Sequence, residues 1–170
     1  MELHDDLIVV RQWRAEDADA VYEACQDLDM LQWLPRIPRP YTREDARAFV
    51  AGEIGLGRHQ YAIEKDGRVV GSIGMLVNEN ETGHVGYWCL RSERGQGIVP
   101  RALRLLARFA FEELELGRVE LVTDPDNASS QRVAEKLGFT REGVLRSHLL
   151  HPDGRRRDSV MFSLLPGELS

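Results

Sequence analysis

The sequence contains little cysteine and no long apolar run. Its 170 residues include two cysteines, Cys25 and Cys89, with no metal-ligand spacing around either. We interpret both as reduced, mostly buried small hydrophobic residues, and we expect no metal site. No apolar run approaches the ~20 residues that cross a bilayer, and the acidic stretch Met1–Asp6 lacks the basic and apolar regions of a signal peptide. These absences predict a cytoplasmic protein with no membrane association.

An excess of basic residues is also missing. The chain has 22 basic and 28 acidic residues, which gives a net charge of −6 with histidine neutral. A general nucleic-acid-binding protein carries a basic surface and a high pI, so we expect no nucleic-acid partner, although a local anion pocket is still allowed. With 42% hydrophobic residues, a chain of this length buries roughly two thirds of its unfolded surface. We therefore expect one domain over residues 1–170, without internal repeats.

Residue patterns predict seven strands and four helices. Short apolar runs rich in β-branched and aromatic residues indicate strands at 7–13, 61–63, 69–77, 84–90, 118–123, 139–150 and 157–165. Apolar residues at helical spacing indicate helices at 15–25, 42–50, 98–115 and 127–137. Asp66-Gly67 is a strong hairpin signal, and three prolines between Asp27 and Tyr41 predict a stiff loop. The order of these elements predicts an α+β fold with one mixed sheet.

The most informative motif is a pair of glycines between a predicted strand and a predicted helix. Gly95 and Gly97 allow a tight turn that brings successive backbone N–H groups close to a ligand. The following helix adds about half a unit of positive charge at its N-terminus, which favours a phosphate. A dinucleotide fingerprint is excluded because its third glycine would stand at Pro100, and no Gly-Lys-Ser/Thr motif is present. A plain tight turn into the helix is the alternative interpretation.

Charged residues on the same helix are placed against its macrodipole. Three arginines lie in its N-terminal half and three glutamates at its C-terminal end: Arg101, Arg104, Arg108, Glu112, Glu113 and Glu115. A polyphosphate bound near Arg101 and Arg104 would offset the unfavourable placement of the arginines. Solvated surface arginines are the alternative.

Four motifs follow one another along the chain: Gly86-Tyr87-Trp88, Arg94-Gly95-Gln96-Gly97-Ile98, Asn127-x-x-Ser130 and Glu135-Lys136-Leu137-Gly138-Phe139. With these motifs the sequence resembles the GNAT N-acetyltransferase superfamily, and within it the RimJ/RimL-like branch, from about Leu7 to Leu165. The resemblance implies a mixed, mostly antiparallel sheet of about seven strands, splayed at its centre and flanked by about four helices. It also implies transfer of an acetyl group from acetyl-coenzyme A to a primary amine, by direct attack in a ternary complex. The amine would be a protein N-terminus or a small molecule, and a homodimer would be in keeping with relatives.

The resemblance also implies where acetyl-coenzyme A binds. Its pyrophosphate is expected on Arg94, Gly95, Gln96, Gly97, Ile98 and Val99, and its pantetheine arm along Cys89, Leu90 and Arg91. A backbone N–H near Leu90 would polarise the thioester carbonyl, and Asn127 and Ser130 complete the cofactor-binding residues. Val99 stands where the family commonly has glycine or alanine, and Pro100 removes one donor, so we expect a slightly altered phosphate grip.

Proton transfer has two candidate residues. The general-acid tyrosine of many family members falls at Ala134, so the resemblance implies Ser130 as the acid. Its place in the first turn of a helix capped by Asn127 or Asp126 would also explain this serine. Many relatives carry glutamate where His84 stands, and an imidazole is suited to accept a proton at neutral pH, directly or through water. A strand histidine without a role is the alternative, and His148 and His151 are the other candidates for the base. Because Val99, Ala134 and the missing glutamate depart from the family, a non-catalytic acyl-coenzyme A sensor stays open.

The amine pocket is expected between the loop from Trp33 to Tyr41 and the late hairpin. Candidate substrate-binding residues are Trp33, Tyr41, Tyr87 and His148, with core packing as the alternative for the first two. Five arginines and two acidic residues between Arg141 and Arg157 give a charge of +3. This charge would favour an acidic peptide or an RNA-associated target, although such a run is most often a solvated hairpin edge.

Overall fold

A computed structural model describes residues 1–170, except for the side chain of Arg58. Within these residues eight strands form one sheet: β1 (Glu2–His4), β2 (Val9–Gln12), β3 (Gln60–Lys65), β4 (Arg68–Val77), β5 (Thr82–Cys89), β6 (Arg118–Thr123), β7 (Thr140–Leu150) and β8 (Arg156–Leu164). Five α-helices accompany it: α1 (Ala18–Ala24), α2 (Leu28–Leu31), α3 (Arg43–Val50), α4 (Ile98–Glu112) and α5 (Ala128–Lys136). The spatial order is β1-β2-β3-β4-β5-β6-β8-β7. The β5–β6 pair is parallel and the others are antiparallel.

The predicted fold class is confirmed, with one more strand and one more helix than expected. Strand β1 has three residues, two of them exposed, and pairs with β2. Helix α2 is a single turn inside the predicted stiff loop, and the Asp27 side chain caps it by accepting from the Asp29 N–H at 3.0 Å. Elements this short produce no periodic pattern in the sequence, and the structure alone reveals them.

The sheet separates at its centre. Strands β5 and β6 are paired only from Thr82–Arg118 to Val85–Leu121. Beyond this point β5 continues along β4, and β6 continues along β8. The edges of β5 and β6 that face each other are therefore unpaired, as the expected splayed sheet requires.

Buried side chains form two clusters on opposite faces of the sheet. One cluster includes Val85 and Cys89 and packs against the apolar stripe of α4 and the inner side of α5. The other includes Trp88 and packs against α1, α2 and α3. Neighbouring residues of β5 divide between the two clusters because side chains alternate along a strand.

Local sequence signals decide several boundaries. The predicted turn at Asp66 and Gly67 joins β3 to β4, and both residues have positive φ, 50° and 73°. The apolar residues at helical spacing on α4 include the buried Ala102, Leu103 and Leu106. None of the described helices is long and apolar enough to span a membrane. The described residues also contain no group of three or more His, Cys, Asp or Glu side chains placed to hold a metal ion.

Candidate active site

A cleft of about 640 Å³ opens where β5 and β6 diverge. Its walls come from β5, the loop before α4, the end of β6, α5 and the segment around α2. The lining includes Trp33, Tyr87, Cys89, Arg94, Gly95, Gly97, Ile98, Val99, Thr123, Asn127, Ser130, Arg132, Lys136 and Arg157. Most of the predicted cofactor-binding residues therefore lie together, although Leu90, Arg91 and Gln96 are not part of this lining.

The glycine loop presents a row of backbone donors to the cleft. Gly95 and Gly97 have φ of +79° and +77°, a left-handed conformation that favours glycine. Gly97 is the N-cap of α4. Within the described chain, the N–H groups of residues 95–99 donate to no protein acceptor. Unpaired N–H groups at a helix N-terminus fit an anion such as a diphosphate. Pro100 lies in the first turn of α4, where N–H groups have no acceptor within the helix, so its missing N–H breaks no helical hydrogen bond.

Side chains of the loop hold its shape. The Arg94 Nε donates to the Cys89 carbonyl at 3.1 Å, and its Nη2 lies 2.6 Å from Asp27 Oδ2. Burial would raise the pKa of Asp27, but the hydrogen bond and charge of Arg94, together with the N–H groups of Asp29 and Met30, outweigh it and the pKa is lowered. Gln96 accepts from Lys65 Nζ at 2.8 Å and donates to the Ser92 carbonyl at 3.1 Å. Arg94 and Gln96 thus fix the loop, while its backbone faces the cleft.

The free edge of β5 has a defined set of donors. The Leu90 N–H donates to the Val70 carbonyl at 2.9 Å, on the β4 side. Since N–H groups alternate between the two edges of a strand, the N–H groups of Tyr87 and Cys89 point to the cleft. The Leu90 N–H itself is therefore already used, and the donors near Leu90 that face the cleft are the N–H groups of Cys89 and Tyr87. Leu90 and Arg91 instead border an adjacent depression of about 750 Å³.

Two hydroxyl groups meet inside the cleft. Tyr87 Oη lies 2.6 Å from Ser130 Oγ, and Ser130 is buried with 8% of its surface exposed. Burial raises the pKa of Tyr87 to about 12, so the phenol is protonated at neutral pH. Asn127 Oδ1 accepts from the Ser130 backbone N–H at 3.1 Å and caps α5. The cap leaves the Ser130 hydroxyl free for Tyr87 and for chemistry in the cleft.

Comparison with known proteins identifies this arrangement. The family model described as "Acetyltransferase (GNAT) domain" matches residues 8–140. The chain belongs to the GNAT acetyltransferase family. The match confirms the predicted enzyme class and acetyl-coenzyme A as the cosubstrate. The chain is 34% identical over 173 residues to YdaF of Bacillus subtilis, covering 95% of this chain and 92% of the relative.

Two further relatives support the RimJ/RimL-like branch. The ribosomal-protein-serine acetyltransferase of Escherichia coli is 35% identical over 111 residues, which cover 62% of either chain. The solved structure of Mycobacterium smegmatis RimJ in complex with CoA-disulfide superposes with a TM-score of 0.84 at 27% identity, covering 95% of this chain and 83% of that one. The predicted resemblance is thereby confirmed.

Two arginines of α4 do not serve this GNAT cleft. Arg101 Nη1 lies 2.8 Å from Asp5 Oδ2 and also contacts Asp6. Arg104 Nη1 donates to the carbonyl oxygen of Ser170. The arginines expected near a polyphosphate therefore tie α4 to the two ends of the chain.

Cations from α5 line the cleft instead. Arg132 and Lys136 stand four residues apart and so share a helix face, and both border the cleft. Neither forms an ion pair with a described residue. Sequence reasoning missed them, although their spacing behind the Asn127 cap is the signal that would have found them.

His84 lies on the face of the sheet opposite to Tyr87. It belongs to the paired part of β5, next to Glu120 of β6. Its Nδ1 is 2.9 Å from Glu120 Oε2, and its Nε2 is 3.2 Å from the side-chain nitrogen of Asn78. His84 is not among the residues that line the cleft, so any proton transfer to it requires a water path.

Only some of the residues predicted to bind the amine substrate lie in the cleft. Trp33 and Tyr87 line the cleft. Tyr41 is 7% exposed and packs in the cluster beneath α1 and α3, which is the core-packing alternative. His148 lies outside the lining, with Nδ1 3.0 Å from Ser159 Oγ. Arg157, which sequence reasoning placed on a solvated hairpin edge, lines the cleft beside Trp33.

Proposed function

We propose that this acetyltransferase acetylates an α-amino group at a peptide N-terminus. The observation that carries the proposal is the cleft between β5 and β6, where unpaired backbone donors meet the Tyr87–Ser130 hydroxyl pair. The E. coli relative is a ribosomal-protein-serine acetyltransferase, which supports a protein amine as the acceptor. Direct attack in a ternary complex fits a single cleft that holds both substrates.

Charge in the cleft supports an α-amine over a lysine amine. Among the described lining residues the carboxylates are Asp29 and Glu93, and they are paired with Arg91 at 3.1 Å and Lys65 at 2.9 Å. No unpaired carboxylate or imidazole therefore stands in the lining to deprotonate a strongly basic amine. Deprotonation at pH 7 costs roughly 1.4 kcal/mol for an α-amine of pKa about 8, and about 4.6 kcal/mol for a lysine of pKa about 10.4.

Each part of the cleft has a proposed role toward acetyl-coenzyme A. The N–H groups of residues 95–99 hold the pyrophosphate, and Arg132 and Lys136 take a further phosphate. The N–H groups of Tyr87 and Cys89 pair with the pantetheine arm and polarise the carbonyl. Bound acetyl-coenzyme A supplies an activated thioester carbon for the amine and a thiolate leaving group.

Ser130 is the proposed acid for that thiolate. Its Oγ–H donates a proton, and the Tyr87 hydroxyl at 2.6 Å can donate in turn to the serine oxygen. His84 is the proposed base, acting through water from the face of the sheet that carries α1 to α3. Glu120 is placed to hold the proton on its Nδ1.

An amine panel tests the proposed function. Thiol release from acetyl-coenzyme A is measured at pH 7 with a peptide bearing a free N-terminus, with Nα-acetyl-lysine and with a polyamine. We expect kcat/KM to be at least tenfold higher for the peptide, because far more of its amine is neutral. Tight binding of coenzyme A without thiol release for any amine would instead establish the non-catalytic sensor, and equal rates for all amines would refute the preference.

Replacement of His84 tests the proposed base. We expect His84→Gln to lower kcat/KM for the peptide about fivefold at pH 7 and to leave it unchanged at pH 9, where the amine is already neutral. His4→Gln, an exposed histidine near the N-terminus, is the matched control and should have no effect at either pH. If His84→Gln follows the wild-type profile from pH 6 to 9, solvent takes the proton and His84 has no catalytic role.

A further inference from the structure

Arg157 is an arginine whose side chain is largely covered and whose guanidinium is only partly used by the protein. Its side chain is 10% exposed. Nη1 lies 3.3 Å from both the Trp33 carbonyl and Asp124 Oδ2, longer than the roughly 2.7–2.9 Å of a strong charge-assisted bond. Nε is buried and has no hydrogen-bond partner among the described residues. A buried cation is costly when its donors are incompletely paired, so Arg157 is a poor purely structural residue.

The position of Arg157 gives it a route to a ligand. It lies at the start of β8, beside the end of β6 and below Trp33, and it lines the cleft. Nη2 makes no hydrogen bond within the described chain, and it is not among the buried unpaired atoms. Because nine tenths of the side chain is covered, the cleft is the side from which a ligand reaches this nitrogen.

Two further arginines lie within electrostatic range of His148, the histidine that contacts Ser159 of β8. Burial lowers the pKa of His148, and the charges of Arg157, Arg36 and Arg156 lower it further. Arg36 and Arg156 form no ion pair with a described residue, and Arg156 Nε donates to the Ser147 carbonyl and hydroxyl, both at 2.9 Å.

Both neighbouring carboxylates are already engaged. Asp158 Oδ1 accepts from the Ser147 N–H at 2.7 Å, and Asp124 Oδ1 accepts from the Asp126 N–H at 2.9 Å while its other oxygen meets Arg157. These two carboxylates balance two of the three arginines Arg36, Arg156 and Arg157, and a net positive charge of one remains among them.

We propose that Arg157 binds a carboxylate of the acceptor, so that the preferred substrate is an amine that carries a carboxylate close to its reacting nitrogen. A planar guanidinium matches the two oxygens of a carboxylate, and this partner supplies the acceptor that Nη2 lacks. Arg36, which is exposed and within electrostatic range of His148, adds long-range attraction for a negatively charged acceptor. The inference rests on the proposed function and adds the class of substrate to it.

Matched peptides test this inference. Thiol release is measured with Ser-Glu-Ala-Ala amide, Ser-Gln-Ala-Ala amide and Ser-Ala-Ala with a free C-terminus, which separates a side-chain carboxylate from a terminal one. We expect kcat/KM in the wild type to be about tenfold higher for at least one acidic peptide than for the neutral amide. In Arg157→Gln the ratio of acidic to neutral kcat/KM should fall to about one, because kcat/KM falls for the acidic peptide and not for the neutral one. Arg157→Lys should restore part of this ratio.

Two further variants keep the test decisive. Arg155→Gln removes an exposed arginine paired with Asp153 at the hairpin tip and should keep the tenfold ratio. Arg36→Gln alters an exposed residue and should reduce the ratio of acidic to neutral kcat/KM severalfold. Thermal melting and coenzyme A affinity show whether Arg157→Gln folds, and Arg36→Gln keeps the inference testable if it does not. Equal rates for acidic and neutral peptides in the wild type, or an unchanged ratio in folded Arg157→Gln, would overturn the inference while leaving the acetyltransferase proposal intact. Absence of thiol release with every amine is the separate failure of the proposed function.

Discussion

Ser130→Ala is expected to lower kcat about 100-fold while KM for acetyl-coenzyme A stays within about twofold. Of the substrate atoms, the hydroxyl contacts only the leaving sulfur in our proposal, so its loss acts on the transition state and spares ground-state binding. General-acid catalysis contributes roughly 10²–10⁴-fold. Thiols are far more acidic than alcohols, the cysteine thiol having a pKa of about 8.5, so a thiolate is a good leaving group and the effect falls at the lower end. Stopped-time thiol release at saturating peptide measures it.

The geometry supplies controls for this variant. The cap on α5 uses the backbone N–H of Ser130, so alanine keeps the helix start intact. Ser129, the exposed neighbour, should tolerate alanine without a change in kcat. Tyr87→Phe removes the hydrogen bond of 2.6 Å and is expected to lower kcat about tenfold. A larger loss in Tyr87→Phe than in Ser130→Ala would make the phenol the acid and Ser130 its positioning partner.

Gly97→Ala is expected to raise the dissociation constant of coenzyme A about 30-fold. Gly97 has φ of +77°, a conformation that costs an L-residue roughly 1–2 kcal/mol. The alanine loop relaxes away from this conformation, and the ligand must restore it on binding. At 1.4 kcal/mol per tenfold change in affinity, the upper end of that cost gives the expected loss. Isothermal titration with coenzyme A measures it.

Gly154→Ala is the matched control for the loop. Gly154 lies in the β7–β8 turn with φ of +86°, and an added Cβ meets no atom within 4 Å at either glycine. The backbone penalty is therefore similar, but Gly154 lies outside the cleft. The dissociation constant of coenzyme A should stay within twofold of the wild-type value. Equal affinities of the two variants for coenzyme A would show that the loop does not hold the diphosphate.

Several features of the site could be predicted from short stretches of sequence. The glycines at 95 and 97 and the cap at Asn127 depend on a few neighbouring residues, and the structure has these features at the expected positions. Charge partners could not be predicted in the same way. Arg101 was expected near a phosphate, but it meets Asp5, which is remote in the chain. Such ion pairs depend on how distant segments are brought together, so the residues next to an arginine in the sequence do not predict its partner.

The sequence by itself determined the family, the order of the main elements and the glycine loop before α4, because turns, caps and apolar periodicity act over a few residues. Only the tertiary structure decided which groups reach the cleft. The register of β5 against β4 uses the Leu90 N–H and frees those of Tyr87 and Cys89. Packing of α5 brings Ser130 to Tyr87, and the approach of β8 brings Arg157 to Trp33. These contacts join segments far apart in the chain, and their geometry is set by sheet pairing and core packing, which local sequence does not encode.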